Sequence, residues 1–134
     1  MRKFEKTSIY FKNVGDMSEQ SEILMKRTKT FAHSCVILAS ELPKNNLGWH
    51  LQKQLIRCST SVAANFRAVC IARSIKERYS KFCIVVEEAD ETVFWLELLE
   101  ESHLNIKVPE FIKREALELS KVIASCKKGL KTKL

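Results

Sequence analysis

Two prolines and three glycines are the only strong chain-breakers in 134 residues. A β-sandwich or barrel needs a turn about every ten residues, so a chain this short of turn-formers is driven toward long helices. The breakers also mark where those helices must stop. Pro43 ends a helix over Ser21–Leu42 whose apolar side is Leu24, Phe31, Cys35, Leu38 and Leu42. After the short "PKNNLG" connection a second helix is predicted over Gly48–Arg73. Ser74 and Glu77 then form the S-x-x-E pattern that opens a third helix, Ile75–His103. Pro109 suits the first turn of a fourth helix, carrying Ile112, Leu119, Val122, Ile123 and Cys126 inward to about Lys127, with Gly129 as its stop.

Four such helices with short connections predict an all-α, up-down-up-down antiparallel bundle. The expected division is an N-terminal tail over 1–20, the bundle over 21–128, and a basic C-terminal tail over 129–134. The tail before Met17 lacks helical periodicity, which leaves Met1 and Met17 as alternative starts. A hydrophobic fraction of 46% with 29% charged residues belongs to a chain that can build a core. No apolar run approaches the roughly 20 residues of a membrane span, and the N-terminus has no signal-peptide core. The expectation is a cytoplasmic protein whose five cysteines, without C-x-x-C spacing, stay reduced.

Spacing in the second helix raises a question. Steps of four and three from Leu51 reach Leu55, Cys58, Val62, Asn65, Val69 and Ala72, which puts an amide on the apolar seam. Antiparallel pairing with the third helix brings the hydroxyls of Ser59, Thr60 and Ser61 and the carboxylates of Glu87 and Glu88 within its range. Asn65, Glu87, Glu88 and Glu91 are therefore read as a polar seam that sets helix register. The same pairing sets Arg57 within a turn of Glu88 and Glu91. The third helix has a seam of Ile75, Tyr79, Phe82, Val86, Ala89, Val93 and Leu96, yet Ile84, Phe94, Trp95 and Leu98 fall outside it. More apolar surface than one bundle covers implies self-association through those four residues.

Charge is unevenly placed. The net +7 includes five basic residues and no acid between Lys44 and Arg73, against eight acids with Arg78 and Lys81 between Glu77 and Glu101. Lys53, Arg57, Arg67 and Arg73, with Lys127, Lys128, Lys131 and Lys133 of the tail, are the candidate phosphate contacts. No catalytic residue is assigned. His33, His50 and His103 are scattered singly, no metal-ligand spacing or glycine-rich phosphate loop occurs, and no cofactor is expected. Glu87 and Glu91, four apart, read as a solvated face or as partners for arginines.

The runs "RCSTSVAANFRAVCIARS" and "KFCIVVEEADETVFWLELL" resemble the bacterial four-helix-bundle proteins named after the intervening sequences of large-subunit ribosomal RNA genes. The likeness extends from about Lys26 to Cys126, although many members carry proline in place of Ala63 and "NIAEG" in place of "NFRAV". It implies a ring-like homopentamer, and a relation to the accessory protein that assists the reverse transcriptase of diversity-generating retroelements by binding nucleic acid. Five copies would pool a formal charge of +35 from +7 each. The expected function is non-enzymatic RNA or DNA binding through backbone electrostatics. The alternative is an interaction scaffold for a reverse transcriptase or a ribosome-associated enzyme.

Overall fold

The computed structural model describes residues 18–134 and contains four helices: α1, Glu19–Ser40; α2, Asn46–Cys70; α3, Ile75–Glu101; and α4, Glu110–Lys131. There is no strand among the described residues. Each helix packs chiefly on its neighbours in sequence, and α1 closes the ring against α4 through a smaller contact. The expected antiparallel bundle is thus formed. The N-terminal segment, and with it the choice between Met1 and Met17, lies outside the described residues.

Side-chain caps fix three of the four starts. Ser18 Oγ accepts from the Ser21 N–H at 3.1 Å, so α1 opens two residues before the expected Ser21. Asn45 Oδ1 accepts from Gly48 N–H at 2.8 Å, which moves the start of α2 back to Asn46. Gly48 is required there: a Cβ at that position would lie 1.8 Å from the carbonyl oxygen of Pro43. Ser74 Oγ caps α3 through the Glu77 N–H at 3.0 Å, while the Glu77 carboxylate accepts the N–H of Arg73. Asn105, at φ 56°, turns the chain between α3 and α4. The Lys113 ammonium beside Glu100 holds that carboxyl below its ordinary range, and Glu100 also accepts the Val108 N–H, pinning the same connection.

Two helix ends differ from the expected ones. α2 stops at Cys70 rather than Arg73, leaving Ile71 78% exposed. α4 runs through Gly129 to Lys131 because Leu130 finds a buried site, 2% exposed, that repays another turn. Half of the expected tail from residue 129 is therefore helix.

The core corrects both seams. In α2 the inward step from Val62 is four, to Phe66, and not three, to Asn65. Phe66 is wholly buried edge-on to Phe82, with ring centroids 6.2 Å apart, and an aromatic gains far more from that site than an amide. In α3 the innermost line is Arg78, Phe82, Val85, Ala89, Thr92, Leu96 and Leu99. Ile75, Tyr79, Val86 and Val93 flank it half-buried. Periodicity passes over Arg78 and Thr92 because both are polar, but each donates a hydrogen bond to a backbone carbonyl. Thr92 Oγ1 donates to the Glu88 carbonyl at 2.7 Å, and Arg78 Nε donates to the Val69 carbonyl at 3.2 Å. Val69 lies in the last turn of α2, where carbonyls lack helical partners and the helix dipole favours a cation.

All five cysteines are free thiols, four of them buried. Burial pushes the Cys35 thiol up to about 12 and the Cys70 thiol up to about 11.

Candidate nucleic-acid interface

The structure sorts the candidate cations into those already used and those left on the surface. Arg57 is used. Its guanidinium pairs with Glu88 at 3.2 Å and also with Glu91, bracing α2 against α3. Glu91 in turn accepts the Trp95 indole N–H at 3.2 Å. Glu88 and Glu91 are therefore the partners of Arg57 and not of an amide seam. Asn65 turns back on its own helix instead, donating to the carbonyl and the hydroxyl oxygen of Ser61, both at 2.9 Å. Glu87 is exposed. The polar seam expected from spacing is thus two separate devices, with Glu87 in neither.

Topology gathers most of the remaining cations at one end. An antiparallel bundle puts the end of α2, the start of α3 and the end of α4 together, and the contact of Lys127 Nζ with the Tyr79 ring, 5.9 Å from its centre, marks that meeting. Arg73, Lys76, Lys128, Lys131 and Lys133 are exposed around it, and Lys127 is half-buried. Among the described residues, the acidic side chains on this end are Glu19 and Glu22, in the first turn of α1, and Glu77, whose carboxylate is engaged in capping α3. The opposite end carries Glu41, Glu97, Glu100, Glu101 and Glu110 against Lys44, Lys107 and Lys113, so the excess of positive charge lies at the first end. Lys76, in the first turn of α3 and three residues after Arg73, joins the candidate cations here.

Lys53 is exposed on the outer side of α2. Arg67 stands apart from both Lys53 and the basic end, in a groove of about 380 Å³ between α1 and α2 lined by Met25, Lys26, Lys29, Ala32, Thr60, Ala63, Ala64 and Arg67. Lys26 and Lys29 come from a helix that sequence reasoning treated as structural. They are one turn apart on α1, and their nearness to Arg67 depends on how α1 lies against α2.

The four expected assembly residues also separate. Phe94 is 52% and Leu98 38% exposed, one turn apart on the side of α3 that points away from the core. Ile84 and Trp95 are half-buried; Trp95 meets His50 of α2 edge-on at 5.6 Å and its neighbour Phe94 at 5.0 Å. Exposed Glu87, Asp90, Glu97 and Glu101 surround the Phe94–Leu98 ridge and make no ion pair among the described residues. No group of three or more His, Cys, Asp or Glu placed to hold a metal ion occurs among the described residues. None of their helices is long and apolar enough to cross a membrane.

The family model for 23S rRNA-intervening sequence proteins matches residues 20–125, nearly the whole bundle. Among solved structures, the chain is similar to a protein of unknown function from the S23 ribosomal protein family of Bacteroides thetaiotaomicron. The identity is 30% and the TM-score 0.72, over 81% of this chain and 97% of that one. None of the curated proteins matches.

Proposed function

The chain belongs to the family of 23S rRNA-intervening sequence proteins, and from that premise we propose that it is a non-enzymatic, homo-oligomeric bundle of the cytoplasm that holds RNA or DNA by its phosphates. The observation that carries this reading is the basic end. Arg73 of the α2–α3 connection, Lys76 of α3, and Lys127, Lys128, Lys131 and Lys133 in and just beyond the end of α4 converge there, and cations on long stems can follow a phosphate backbone without reading bases. In a ring of parallel bundles, five-membered as the family resemblance implies, these ends would form one basic annulus. Arg57, spent on Glu88 and Glu91, has no part in it.

Exposed Trp49, Phe94 and Leu98 favour a second reading, a scaffold for an enzyme such as a reverse transcriptase or a ribosome-associated protein. Gel retardation of unrelated RNA and DNA sequences, with sedimentation of the free protein, tests the first reading. Retardation at low salt that is nearly indifferent to sequence is expected, together with a species larger than the monomer. Failure to retard any nucleic acid at low salt would remove it.

A further inference from the structure

Two surfaces on different faces of the bundle are complementary in both shape and charge. One is convex: the Phe94–Leu98 ridge of α3 with Glu87, Asp90, Glu97 and Glu101 around it. The other is concave: the α1–α2 groove, lined by uncharged Met25, Ala32, Thr60, Ala63 and Ala64 and by the cations Lys26, Lys29 and Arg67. The three alanines leave room for a phenyl and an isobutyl side chain to reach the helix backbones. None of the three cations makes an ion pair among the described residues.

We propose that these surfaces are the two halves of one joint, in which the α3 ridge of one protomer seats in the α1–α2 groove of the next. The inference rests on the oligomeric reading above and names the contact that makes it. An interface with an apolar centre and a charged rim gains from burial at the middle and from orientation at the edge, and here the charges on the two surfaces have opposite sign. A phosphate chain would meet the same three cations but would leave the uncharged lining unused, which favours a second copy as occupant. Because ridge and groove are different patches, the joint is heterologous. Every protomer keeps one of each, so association continues until the ring of copies closes.

Exposed residues allow a test that spares the core. In Lys26→Glu/Lys29→Glu an acidic groove faces the acidic ridge; in Asp90→Lys/Glu97→Lys the ridge loses its net negative charge, with Glu87 and Glu101 balancing the two new lysines, and faces the basic groove. Each double variant should weaken self-association, measured by sedimentation, at least about a hundredfold. The quadruple variant, which exchanges these four charges across the joint, should associate more tightly than either double. The proposal is overturned if the quadruple variant associates no more tightly than the doubles while the unaltered protein assembles, if either double variant assembles normally, or if the unaltered protein is a monomer. Should Lys26→Glu/Lys29→Glu assemble normally but lose RNA, the groove is a phosphate site and the joint is elsewhere. RNA retardation by the dissociated double variants, whose basic ends are untouched, reports on the nucleic-acid reading independently.

Discussion

Four cations of the basic end can be neutralised without touching the core. Arg73, Lys76, Lys131 and Lys133 are all exposed, and none makes a side-chain ion pair among the described residues. Changing them to glutamine should alter stability by no more than about 0.5 kcal/mol. Its effect on nucleic-acid binding should be large and of a specific kind. Each phosphate neutralised on a duplex contributes about 0.9 to the slope of log affinity against log salt, so four lost contacts flatten the slope by about 3.6 for each protomer engaged. Between about 50 and 200 mM salt the unaltered protein should then lose roughly a hundredfold more affinity than the variant. Fluorescence anisotropy of a labelled duplex across that range reads both slopes. Lys44→Gln/Lys107→Gln removes charge from exposed positions in the two connections at the opposite end, and should leave the slope unchanged. The reasoning fails if the quadruple variant keeps the original slope, or if the control flattens it as much per charge removed.

The remaining predictions concern what holds the bundle together. Asn65→Leu should leave stability within about 0.5 kcal/mol in urea melts, because its amide bonds only within α2; Phe66→Ala should cost about 3–5 kcal/mol. A large effect at Asn65 would return it to the seam. Arg57→Gln should cost less than about 1 kcal/mol, since its side chain is 45% exposed and solvent screens the pair, and should not change RNA retardation; loss of binding would make it a phosphate contact after all. Stability should fall as pH rises above about 9. Folded Cys35 and Cys70 keep their protons to about 12 and about 11, while the unfolded thiols release theirs near 9.0. Each thiol adds a decline approaching about 1.4 kcal/mol per pH unit until its folded value is passed. Cys35→Ala should make that decline shallower in melts at successive pH values, and an unchanged slope would show that Cys35 does not titrate differently on folding.

Elements were legible in the sequence wherever a local rule decides them: Pro43 and Pro109 set the ends, Ser74 with Glu77 sets the start of α3, and a register count set Arg57 beside Glu88 and Glu91. Rules based on hydrophobic spacing failed where a polar side chain is buried against backbone. Arg78 and Thr92 complete the inner line of α3 because the Val69 and Glu88 carbonyls accept from them, and no apolar periodicity records a carbonyl. Asn65 failed in the opposite direction, since a seam drawn through it by a step of three left Phe66 on the surface.

The candidate site followed a different logic. A cation's identity does not say whether it is spent or spare, because that depends on the helix across from it. Arg57 and Arg67 lie ten positions apart on α2, yet one faces the carboxylates of α3 while the other faces Lys26 and Lys29 of α1. Arg73 and Lys131, remote in sequence, share an end because the helices between them run in alternate directions. Net charge thus gave the sign of a partner, and packing determined which residues remain to meet it. The apolar surface obeys the same rule: of four residues outside the α3 seam, Trp95 packs against His50 of α2 and Ile84 is half-buried, which leaves Phe94 and Leu98 exposed among acids. An acidic apolar ridge on a protein of net charge +7 is poorly placed to meet a polyanion and well placed to meet a basic groove.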